Sequence, residues 1–277
     1  MRSLVSAVLV VLALLLAAVA GPAIWAERNI VSESGFVALA GPLGGNADFQ
    51  QGLASMVARQ SGAQLNLPPQ LADLAAGVIG STAHSLYTQP GYADAWSETL
   101  RRSHALTFAP TAQQRGNGDV HLDITPLVVL VAAKASADTG VTLPTPKDAT
   151  VSFDQPVVAK AVPLLTKVGG MGGWAALVAA GLILLALIVA RRRSLTLVLA
   201  GLGMALVALA WLLGAGIVGG RARSMGAGSD VVAQLGGELA TQAQASWHWG
   251  ITLGFIVAAA LVVVGLLTGA LGRTRTP

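Results

Sequence analysis

Residues 174–220 read WAALVAAGLILLALIVA, then RRR, then SLTLVLAGLGMALVALAWLLGAGIVGG. The apolar runs on either side of Arg191-Arg192-Arg193 hold no Asp, Glu, Lys or Arg. A helix rises 1.5 Å per residue, so about 20 residues cross a hydrocarbon core of about 30 Å. Inside lipid every backbone polar group must be satisfied within the segment, and a helix does this. Two spanning helices, 173–190 and 195–219, are therefore expected. The arginine turn between them is so short that they must run antiparallel as neighbours.

Two more uncharged runs lie outside this pair, one within 1–26 and one at 248–271. Of the 277 residues, 54% are hydrophobic and 11% charged, against about 25% charged in soluble domains. The reading is an α-helical integral membrane protein with four spanning helices. A mainly helical α+β extracytoplasmic domain, 27–172, is inserted between the first and second. The region 173–272 holds the other three spans and an outer loop, 220–247. A tail, 273–277, follows.

Charge orients the layout. Lys and Arg collect on the cytoplasmic flanks of spanning helices. With both termini in the cytoplasm, Arg2, Arg191, Arg192, Arg193, Arg273 and Arg275 all fall inside with no acidic residue. All 13 acidic residues then fall outside, with Arg221 and Arg223 as the dissenting cations. Trp247 and Trp249 flank His248 at the start of the fourth run, where aromatic residues anchor a helix at the headgroups. The expected location is the cell membrane, multi-pass. The first run also reads as a signal peptide, with Ile24-Trp25-Ala26 ahead of a cleavage site. Its uncharged length exceeds an h-region of 7–15 residues, which favours a retained anchor.

The segment 27–172 opens with Gly41-Pro42-Leu43-Gly44-Gly45. Apolar spacing predicts helices over Ala47–Gln60, Pro69–Tyr87 and Tyr92–Thr107, the last with Tyr92, Trp96, Leu100 and His104 in one stripe. Val120, Leu122 and Ile124 alternate with Asp119, His121 and Asp123, which predicts a half-buried strand. Thr125-Pro126 reads as the N-cap and N1 pair of a helix over Pro126–Ala137. Ala149–Phe153 reads as a second strand. With no cysteine, the domain needs its own core in place of disulfides.

Little here points to chemistry. Nucleophile elbows, zinc-protease motifs and phosphate loops are absent from the sequence. The net charge of +4 forms no basic stripe with interleaved aromatics, so nucleic acid is not an expected partner. One cluster stands out: Asp119, His121 and Asp123 on one strand face, with His104 or His84 from a helix. Carboxylate and imidazole are ordinary zinc or manganese ligands, so a divalent metal is the cofactor this set would take. The blander reading is a solvated strand face and a packed helical histidine. The spans carry no ionisable residue between their ends, which argues against an ion-coupled path. Glycine clusters at 169–173 and 219–220 read as joints at the membrane boundary.

The fourth run also carries Gly250, Gly254, Ala258, Gly265 and Gly269, with GxxxG spacing twice. Small residues let helices approach closely in lipid. Two readings fit: packing within the chain, or a homo-oligomer through this face.

In the order of its features the chain resembles an uncharacterised family of four-helix hypothetical membrane proteins of high-GC Gram-positive bacteria. The resemblance rests on Gly35-Phe36-Val37 through Pro42-Leu43, Ala95-Trp96, Ser103-His104, Val120 through Leu127, and the arginine turn. It implies the layout and no activity. The functional expectation is a non-enzymatic envelope protein whose outer domain binds or scaffolds another envelope component. The alternative is an envelope-facing enzyme, metal-assisted through Asp119, His121, Asp123 and His104.

Overall fold

The structure, a computed structural model, describes residues 2–64, 81, 85–108, 119–140, 142, 147–154, 156–225 and 231–273. The chain divides into two compact units: 1–28 with 165–221 and 243–277, and 29–164 with 222–242. Among the described residues four helices are long and apolar enough to cross a membrane, within Arg2–Val31, Val162–Val189, Arg193–Ile217 and Gly237–Leu271. The chain is thus a helical, multi-pass membrane protein.

The first unit is built on α1 (Arg2–Ala26) and on the membrane portions of α6 (Pro156–Val189), α7 (Arg193–Met225) and α8 (Val231–Arg273). Both α6 and α8 begin well before the uncharged runs that reveal them, because a helix continues through polar sequence once past the lipid. The glycines at 169–173 are not joints. They lie inside α6, where a methyl at Gly172 would come within 2.8 Å of the Ile24 backbone nitrogen on α1. Gly219 and Gly220 likewise lie inside α7.

One end of the bundle is marked by arginine. Ser6 Oγ donates to the Ala186 carbonyl at 3.0 Å, which brings the start of α1 beside the end of α6. A methyl at Gly265 would lie 2.9 Å from the Ser194 carbonyl, which brings the end of α8 beside the start of α7. Arg2, Arg191–Arg193 and Arg273 therefore belong to the same end.

Tryptophan marks the opposite end. Pro22 of α1 has no N–H to give the Ala18 carbonyl four residues back. Trp211 Nε1 of α7 donates to that carbonyl instead, at 2.9 Å. Gly21 makes room, since the Trp211 ring occupies the place of any side chain there. Trp247 stands edge-on to both Trp211 and Trp25, at 5.6 and 5.8 Å. Trp25 Nε1 donates to Ser246 Oγ at 3.0 Å. A single π-turn, Glu27–Val31, then carries the chain out of α1.

The second unit opens with α2 (Glu33–Ala40), then a 3₁₀ turn, Gly41–Gly45. α3 (Ala47–Gln64) is capped by Asn46, whose Oδ1 accepts from the Phe49 N–H at 3.0 Å. Most of the predicted helix over Pro69–Tyr87 lies outside the described residues, and Leu86–Thr88 is a 3₁₀ turn. Gly91, with φ +87, then reverses the chain into α4 (Tyr92–Phe108). β1 (Asp119–Asp123) pairs antiparallel with β2 (Thr150–Asp154), Leu122 opposite Val151. Between them runs α5 (Thr125–Thr139), closed by Gly140 in the left-handed conformation at φ +70. The core gathers Leu43, Phe49, Leu53, Val57, Trp96, Ile124, Leu127 and Val131, with Leu239 packed against it; Leu239 lies in α8, so most of the expected outer loop 220–247 is helix.

Candidate functional site

α4 organises the second unit. Its buried positions, Tyr92, Trp96, Thr99, Leu100, Ser103 and His104, form one stripe at helical spacing. Its other face carries Glu98, which accepts from Arg101 and Arg102 at 3.0 and 2.8 Å. Arg102 foremost, with Arg101, holds the Glu98 carboxyl below its ordinary range, and Glu98 in turn raises Arg102.

The polar tips of the buried stripe reach main chain on neighbouring segments. Trp96 Nε1 donates to the Gly41 carbonyl at 3.1 Å. The Tyr92 hydroxyl donates to the Gly44 carbonyl at 3.1 Å, and Gln50 Nε2 to the same oxygen at 2.7 Å. Burial pushes the Tyr92 phenol up to about 12. The Trp96 ring lies so close to Gly44 that a methyl there would come within 2.6 Å. Together these groups clamp the Gly41–Gly45 turn onto α4.

Further along, Ser103 Oγ donates to the Thr99 carbonyl at 2.6 Å and accepts from the Asp123 N–H at 2.9 Å. This bond fixes the end of β1 to α4. Asp123 Oδ1 accepts from the Thr125 N–H at 2.9 Å, so its carboxylate serves the entry to α5. Thr125 is the first residue of that helix, not its N-cap; Ile124 precedes it. The Thr125 hydroxyl turns away and accepts from the Ala149 N–H at 2.8 Å.

His104 is 7% exposed. Its Nε2 lies 3.1 Å from the Ile30 carbonyl, which can only accept, so that nitrogen carries the proton. The ring stacks on Phe108 at 4.5 Å and leans on Phe36 at 5.4 Å. His121 is half-buried on β1 opposite Ser152. The side chain of Asp119 and the whole of His84 lie outside the described residues. Among the described residues no three His, Cys, Asp or Glu side chains converge to hold a metal ion. The structure therefore brings Asp123 and Phe36 to Ser103 and His104 of α4; Ser103, His104 and Asp123 each bind main chain, and Phe36 packs on the His104 ring.

The hydrogen bonds of Tyr92 and Gln50 to Gly44 escaped the sequence reading. A phenol or amide that fastens a turn leaves no spacing signature. Of the anchors, Trp247 joins the aromatic cluster of the first unit, while Trp249 is 71% exposed. The small face of α8 is occupied within the chain: methyls at Gly254 and Gly269 would lie 3.1 Å from Ala208 Cβ and 3.4 Å from Ser194 Cβ on α7. No family model, curated protein or solved structure matches the chain.

Proposed function

We propose that the protein is a membrane-anchored binding protein. Its four spans hold the second unit on the outer face of the cell membrane, where that unit engages another envelope component and does not turn over a substrate. The observation that carries this reading is the employment of its chemically able side chains. Trp96, Ser103, His104 and Asp123 all hold main chain, and two large apolar side chains, Tyr87 and Val129, stand 45% and 38% exposed on the same unit. The arginines gathered at one end of the bundle support cytoplasmic termini.

The chain has no cysteine, so single introduced cysteines label without background. Val129→Cys should react with a membrane-impermeant maleimide on intact cells, and Arg192→Cys should react only after lysis. The reverse pattern overturns the orientation. A photo-crosslinking residue at Tyr87 or Val129 should then capture one reproducible envelope component. Correctly inserted protein that captures none at either position overturns the binding role.

A further inference from the structure

The arginine turn forms a pocket as well as a topology signal. Arg191 and Arg192 link α6 to α7, and Arg193 is the first residue of α7. All three are exposed, and among the described residues none lies within ion-pair distance of a carboxylate. The turn itself is ordered, because the Thr196 N–H and hydroxyl both donate to the Arg192 carbonyl, at 3.1 and 3.3 Å. Three adjacent cations repel one another unless an anion sits among them. The first-turn amides of α7 have no partner within the helix, and its dipole adds positive potential at the same place.

These groups border a cavity of about 530 Å³. Leu187 of α6 and Leu197 of α7 form its apolar walls, and Ser194 of α7 adds a hydroxyl; Thr268 of α8 lines it too, with its own hydroxyl donating to the Val264 carbonyl at 2.8 Å. That volume exceeds what one inorganic phosphate needs and lies in the range of small-ligand sites, roughly 300–1,000 Å³. On α6, Leu184, one turn before Leu187, is exposed as well. A free anion would satisfy the guanidiniums and leave the leucines unused. An anionic phospholipid would satisfy both, with its phosphate in the arginine forks and its upper acyl chains along the leucines.

The geometry points to a binding site for the phosphate-bearing headgroup of an anionic phospholipid, built from Arg191, Arg192, Arg193, Ser194, Thr268 and the Leu187 and Leu197 walls. It depends on the chain being a membrane protein and not on which partner the other unit binds.

The test uses the full chain in phosphatidylcholine bilayers, with spin-labelled phosphatidylglycerol compared against spin-labelled phosphatidylcholine at the protein boundary. The wild type should prefer phosphatidylglycerol by about fivefold or more, the scale set by one basic residue at a membrane surface. R191Q/R192Q/R193Q should abolish the preference, while R2Q/R273Q, at the same end of the bundle, should keep it. Leu197→Trp narrows the cavity at its wall and leaves every charge in place, and it too should reduce the preference. Inorganic phosphate should compete no better than sodium chloride of equal ionic strength. No preference in the wild type, full preference in Leu197→Trp, or specific displacement by inorganic phosphate would each overturn a lipid site.

Discussion

The two units pack in opposite senses. Among the spans the buried side chains are mostly alanines, such as Ala13, Ala23, Ala186, Ala200 and Ala258, while many Leu side chains, with Trp174 and Trp249, stand on the outside. In the second unit Phe49, Leu53, Trp96, Ile124 and Leu127 are buried. Water drives large apolar groups inward. Lipid gives no such drive, so helices there adhere through close backbone approach and hydrogen bonds, which small residues permit. Residues of one chemical type therefore do opposite jobs a few dozen positions apart.

The largest test of this contrast compares two tryptophans. Trp96→Ala removes a ring packed on Phe49 at 5.3 Å together with its bond to Gly41, and should cost about 3–5 kcal/mol. Trp174→Ala, at 72% exposure, should change stability by no more than about 0.5 kcal/mol. Thermal unfolding in detergent reads both. Comparable losses would erase the distinction between the units.

Glycine gives the mirror test. A side chain at Gly201 would begin 2.7 Å from the Ala258 carbonyl and 2.9 Å from the Val262 nitrogen, both backbone. Gly201→Leu must therefore push α7 and α8 apart, at a cost of about 1–3 kcal/mol. Gly214→Leu, with open space at that position, should leave the melting temperature unchanged.

A narrower test concerns the carbonyl that Pro22 leaves free. Trp211→Phe keeps one aromatic ring but strands the Ala18 oxygen and loses packing at Gly21, for a loss of about 1–3 kcal/mol or more. Adding Pro22→Ala restores an N–H four residues beyond Ala18 and should recover part of that loss. Failure of the second change to rescue the first would separate Trp211 from the proline.

The four spans were legible because lipid tolerates no charge over about 20 residues, and that absence can be read along a sequence. The β1 strand was legible because a half-buried strand alternates. The polar fastenings of the site were not, since Ser103 meets Asp123 across 20 positions and Tyr92 meets Gly44 across 48. The starts of α6 and α8 were hidden for a related reason: a helix leaving lipid keeps its hydrogen bonds while its composition turns polar. Ser103→Ala checks one fastening. It leaves the Asp123 N–H without its acceptor and should cost about 1 kcal/mol, visible as faster hydrogen exchange at that amide.

The smallest expected effect belongs to Glu98. Its folded pKa lies below the ordinary 4.5, so its contribution is present above that value and fades as pH falls through the depressed one. Both arginines are exposed to solvent, and salt screens the group. Glu98→Gln should shift the melting temperature only slightly, and less at high ionic strength than at low.

The close fit of Gly172 against Ile24 has a bearing on biogenesis. α1 leaves the ribosome before α6, and the α6 segment that it packs on is made only after some 140 further residues. At about 5–20 residues per second the interval is on the order of ten seconds. Throughout it α1 must rest in the bilayer without α6, its alanine stripe against acyl chains until that partner arrives to displace them.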